Sequence, residues 1–114
     1  MENIISDKSF RFAVRIVNLC RYLQTEQKEF VLTKQLLRSG TSIGANVSES
    51  QQAQSRPDFI SKLNIALKEA YETDYWLRLL HETSYLTGDA FLSIYTDCQE
   101  LERLLIAIVK TSKE

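Results

Sequence analysis

Apolar residues recur along this chain at steps of three and four in four separate stretches, which is the spacing of amphipathic helices. In the first, Phe12, Ile16, Leu19 and Leu23 share one side of a helix that is predicted to start after Ser6-Asp7 and to fade near Thr25. The polar, aperiodic Thr25-Glu26-Gln27-Lys28-Glu29 reads as a loop, and Thr33 is the expected cap of a second helix running to about Gln54. Ser55-Arg56-Pro57-Asp58 marks a boundary. Pro57 suits a helix's first position, where its missing N–H is harmless, and Asp58 faces the positive end of the helix dipole. The third helix is predicted to reach about Tyr85. After Thr87-Gly88-Asp89 the last carries Phe91, Ile94, Cys98, Leu101, Leu105 and Ile108 as its stripe. Four helices with short connections imply an antiparallel up-and-down four-helix bundle.

Composition narrows this further. The 114 residues suit a single domain, and 44% hydrophobic content is enough for one modest core. Three Gly and one Pro are too few for a turn-rich β-sandwich. The opening MENIISDKSFRF has no basic segment leading into a long apolar one, and no apolar run could cross a bilayer, so the expected location is the cytoplasm with no membrane partner. Cys20 and Cys98 stand apart from each other and from any His, as reduced core thiols do.

Some apolar positions exceed what one core can use. Leu104 to Val109 is apolar for six consecutive residues, which at about 100° each encircles the helix. The third helix adds Tyr75-Trp76-Leu77, and the first adds Phe12-Ala13-Val14 and Ile16-Val17. Surplus apolar surface marks interfaces, and a closed homo-oligomer is its default form. Tyr75, Trp76, Leu104, Ile106 and Val109 are the candidate oligomer contacts. In the second helix Gly40 and Gly44 each cost about 1 kcal/mol relative to Ala, so they need a reason. They lie among Leu36, Ile43 and Val47, with Ser48 at the edge, where small residues let another helix backbone approach. Close packing is favoured over a phosphate loop, since GTSIGANV lacks the Lys-Ser/Thr that must follow the second Gly; the alternative is that Ser39, Thr41, Ser42, Asn46, Ser48 and Glu49 hold a buried hydrogen-bond network or a kink.

Catalytic patterns fail. A di-iron bundle needs Glu-x-x-His pairs, yet the single His81 has Arg78 three positions before it. Glu69, Glu72 and Asp74 read as solvent-facing, or as paired with Lys68 and Arg78. No nucleophile elbow exists, so no enzyme, cofactor, metal or small-molecule substrate is expected. The net charge of −1 conceals an asymmetry: Met1 to Pro57 carries eight Lys/Arg against five Asp/Glu, and the remainder six against ten. Lys8, Arg11 and Arg15 on the first helix and Lys34 and Arg38 on the second are therefore candidate nucleic-acid contacts. The competing expectation is that they pair with the acidic second half.

The stretches LTKQLLRSGTSIGANVSES and DFISKLNIALKEAYETDYWL, with weaker likeness in FRFAVRIVNLCRYL, resemble the bacterial four-helix-bundle family encoded in intervening sequences of 23S ribosomal RNA genes, also called S23 ribosomal proteins. The resemblance implies an up-and-down bundle and, from some members, a homopentameric ring. A distant relative, the accessory variability protein of retroelements, implies nucleic-acid binding, but that protein is strongly basic and this chain is not. The expected function is thus a non-enzymatic, homo-oligomeric interaction or scaffold module, with an RNA- or DNA-binding assembly as the alternative.

Overall fold

The computed structural model describes residues 3–113, folded into four helices: α1 (Ile4–Glu26), α2 (Leu32–Ser50), α3 (Arg56–Glu82) and α4 (Gly88–Lys113). Each helix packs on the next in sequence and α4 returns to α1, with no diagonal neighbours among the described residues. This is the up-and-down bundle that the apolar spacing predicts, 44 × 22 × 20 Å in extent. The α1–α4 seam is the sparsest of the four. Ile16, Leu23, Leu36, Ile43, Leu77, Leu80 and Leu105 fill the centre without solvent contact.

Helix boundaries differ from the sequence reading where local hydrogen bonding overrides pattern. α1 begins at Ile4 because the Asn3 side chain accepts the Ser6 N–H at 3.2 Å, so Asn3 is the cap and Ser6-Asp7 lie inside the first turn. α2 ends at Ser50. Beyond it the N–H groups of Gln51, Gln52 and Ala53 bond three residues back, the tighter pattern on which helices close.

At the start of α2 the capping group is Glu29, not Thr33. Its carboxylate accepts the N–H groups of Val31, Leu32 and Thr33 at 3.1, 3.0 and 2.7 Å, while Thr33 Oγ1 donates to the Glu29 carbonyl at 2.6 Å. Burial pushes the Glu29 carboxyl up, but these hydrogen bonds outweigh it and hold the group below the usual carboxylate range. Ser55 caps α3 by accepting the Asp58 N–H at 3.2 Å. α3 stops at Glu82, where the Tyr85 N–H reaches the Leu80 carbonyl and the Ser84 N–H reaches that of His81. Ser84 takes the left-handed φ of 71° that such a stop requires.

Between α2 and α3 the core is crossed by a polar contact, Thr73 Oγ1 to Ser39 Oγ at 2.9 Å. Ser39 also reaches the Leu36 carbonyl at 3.4 Å and Thr73 that of Glu69 at 2.8 Å, so both buried hydroxyls are satisfied.

Candidate functional site

The small residues of α2 line its seam with α1. A Cβ on Gly40 would lie 2.8 Å from two carbons of the Ile16 side chain, and one on Gly44 would lie 3.1 Å from the Ser9 carbonyl oxygen. Hydrogen atoms therefore stand where a methyl could not, and the helices approach closely. Ser48 is exposed. With Ser6, Phe10, Gly44, Gln51 and Gln52 it lines a shallow groove of about 230 Å³ between the two helices.

Beside that groove, Phe10, Val14 and Val17 recur at helical spacing on the side of α1 turned away from the core. Phe10 is 70% exposed and Val14 47%. The surplus on α4 is smaller than the six-residue run suggests. Leu105 and Val109 point inward, Val109 being only 6% exposed, so Val109 is a core residue and not a surface contact. Leu104 and Ile108 pack against the core, as does Trp76, whose indole N–H donates to Glu72 at 3.0 Å. Of the candidate oligomer contacts, Tyr75 and Ile106 are the ones with large exposed area. A bundle helix with neighbours on two flanks buries a wider arc than a single stripe, which absorbs most of the run.

The candidate cations do not form a common basic face. Lys8 meets Glu100 at 3.2 Å, and Arg15 meets Asp97 at 2.6 Å with Ser93 alongside; both reach across to α4. Arg11 pairs with Asp7 on its own helix at 3.1 Å. Arg38 reaches the other way, to Glu69 and Glu72 of α3. Its guanidinium and the Trp76 indole hold the Glu72 carboxyl below the usual range. Lys34 takes part in no ion pair among the described residues. Four of the five are thus engaged by carboxylates, on two opposite flanks of the α1–α2 pair. Of the three acidic residues expected to face solvent or to pair with Lys68 and Arg78, Asp74 meets Arg78, while Glu69 and Glu72 find Arg38.

A further polar cluster lies on the α3–α4 seam. Arg78 Nε donates to Asp74 Oδ1 at 2.8 Å, and Tyr95 Oη donates to the same oxygen at 3.1 Å. On the same seam Cys98 Sγ stands 3.9 Å from Glu102 Oε2. Next to this cluster opens a cavity of about 530 Å³, walled by Tyr75, Arg78, Leu79, His81, Glu82, Phe91 and Tyr95. Three of those rings form a ladder: His81 on Phe91 at 4.3 Å and Phe91 on Tyr95 at 4.7 Å. Glu102 was absent from the sequence reading. The signal that could have found it is the apolar spacing itself, since Glu102 falls one helical turn beyond Cys98, on a stripe otherwise turned inward.

Cys20 and Cys98 are buried, and burial pushes the Cys20 thiol up to about 11 and that of Cys98 higher still. Among the described residues no three His, Cys, Asp or Glu side chains converge as metal ligands, and no helix is long and apolar enough to cross a membrane.

The architecture and its close α1–α2 seam define an all-helical up-and-down bundle protein. The model of the 23S rRNA-intervening sequence protein family matches residues 1–107, and the chain belongs to that family. A crystal structure at 1.70 Å resolution, of a protein of unknown function from the S23 ribosomal protein family of Bacteroides thetaiotaomicron VPI-5482, is similar at 63% identity and a TM-score of 0.93. The match covers 94% of this chain and 99% of that one. Comparison with curated proteins gave no match.

Proposed function

We propose that this protein is a non-enzymatic, self-associating interaction module. What carries the reading is the exposed Phe10–Val14–Val17 stripe of α1 beside the small-residue groove of α2. Large apolar side chains in water on a helix whose opposite side is already buried serve contact with another molecule. A second copy of the chain is the proposed partner, in a closed assembly for which the family resemblance implies five subunits.

Nucleic acid is the weaker alternative. Four of its five candidate contacts spend their charge on carboxylates of the same chain, which leaves little to displace counterions from a phosphate backbone. Native mass spectrometry with and without added RNA tests both readings. A single multimer whose mass is unchanged by RNA is expected. A monomer at micromolar concentration overturns self-association, and a salt-sensitive RNA complex restores the alternative.

A further inference from the structure

The cavity between α3 and α4, about 530 Å³ in volume, has seven walls, and four of them are rings: Tyr75, His81, Phe91 and Tyr95. Its size falls within the roughly 300–1,000 Å³ of small-molecule sites. Asp74 fixes two of the walls from behind. It is only 13% exposed and lies outside the lining, yet its Oδ1 accepts from Arg78 Nε at 2.8 Å and from Tyr95 Oη at 3.1 Å. Tyr95 in turn supports the ladder, with Phe91 stacked at 22° to its plane and His81 at 9° to that of Phe91. Rings that brace one another and polar ends that are already hydrogen-bonded need little reordering to receive a ligand.

Charge selects the kind of ligand. The lining holds one cation, Arg78, and one carboxylate, Glu82, and no residue of α1 or α2 takes part in it. Arg78 is matched by Asp74, whereas Glu82 enters no ion pair among the described residues. From Leu79 to Thr96 the chain has no Lys or Arg, and its acids are Glu82 and Asp89. Negative charge is therefore in excess around the cavity. Aromatic faces attract cations as well, and Arg78 already shows this, with its guanidinium carbon 5.9 Å from the centroid of the Tyr75 ring. An anion would meet the unmatched Glu82 and a guanidinium whose charge is already balanced.

We propose that this cavity is a binding site for a small organic cation, an ammonium or pyridinium-type group carried on an apolar or aromatic body. Leu79 and the rings receive the body, and Glu82 supplies the opposite charge. A ligand held there joins α3 to α4, away from the Phe10–Val14–Val17 stripe of α1, so the site does not rest on self-association.

The test is fluorine NMR of the full chain labelled with 3-fluorotyrosine, titrated separately with benzyltrimethylammonium, benzyl alcohol and benzoate; Tyr75→Phe and Tyr95→Phe assign the two cavity resonances. With the cation, those two signals are expected to move with half-saturation on the order of 1 mM, while the signals of Tyr22 and Tyr71, exposed outside the lining, stay in place. Benzyl alcohol should bind more weakly than the cation and benzoate more weakly still. Glu82→Gln, a change at an exposed position, should weaken the cation about fivefold. Benzoate binding as tightly as the cation overturns the proposal, as does unchanged cation binding in Glu82→Gln. No movement of the cavity signals at about ten times the expected half-saturation overturns it too. Cavity signals that respond to dilution but ignore the cation would give the cavity to a second copy of the chain instead.

Discussion

Gly40 of α2 sits against Ile16 of α1 so closely that even a methyl group would stand 2.8 Å from its side-chain carbons. Ile16 is β-branched and has no solvent-exposed surface, so it has no room to swing away. Gly40→Ala would gain about 1 kcal/mol of helix propensity but incur the 1–3 kcal/mol or more of an overpacked core. A net loss of about 1 kcal/mol is expected from urea denaturation. Gly44→Ala, whose new carbon would stand 3.1 Å from the Ser9 carbonyl, should cost less. Gly40→Ala at wild-type stability would mean that this seam is slack.

Glu29 anchors the second helix through three backbone N–H groups. Glu29→Ala is expected to cost about 1–2 kcal/mol, the upper range for a lost cap, and Glu29→Gln less. The pH dependence is specific. A carboxyl whose folded-state pKa is depressed stabilises the fold above its unfolded value of 4.5 and loses that effect as pH falls through the folded value. The gap between wild type and Glu29→Gln should therefore narrow on acidification, which melting curves at pH 6 and pH 3 would register.

Phe10→Glu combined with Val14→Glu places charge on the exposed stripe without touching the core. Circular dichroism should show unchanged helicity, while sedimentation velocity should show the assembly weakened at least tenfold, the scale of an interface anchor residue. An unchanged multimer would place the contact elsewhere on the bundle.

Both thiols should resist modification in the native state. Cys20 and Cys98 are buried with their thiolates disfavoured by burial, so a thiol-specific chromogenic reagent at pH 8 should react only at the rate of opening, and quickly in denaturant. Rapid native labelling of one equivalent would show that its helix opens locally.

The helices and their order were legible from apolar spacing, because a stripe such as Phe12–Ile16–Leu23 leaves a helix one way to hide it. Gly40 and Gly44 were legible for a related reason: a costly residue inside a helix points to a neighbouring backbone. What the spacing could not carry was everything decided between elements. Lys8 and Arg15 look like a basic face until α4 brings Glu100 and Asp97 beside them. Val109 looks surplus until the rotation of α4 turns it inward. Glu29 sits in what reads as a polar loop, and only the path of the chain aims its carboxylate at the free N–H groups of α2. Tyr95 meets Asp74, 21 positions earlier in the chain, beyond the reach of any local pattern.

The hydroxyl contact between Ser39 and Thr73 fixes something that leucines cannot. Apolar ridges pack almost as well when one helix slides along another by a turn, about 5.4 Å, and a core of similar side chains tolerates such slippage. Here a shift of that size would pull the hydroxyls apart and lose their mutual hydrogen bond, leaving each only the carbonyl of its own helix. The pair works as an index mark on the α2–α3 interface. It sets the lengthwise alignment of the two halves of the bundle, and through α1 on one side and α4 on the other, the height at which every surface feature is presented.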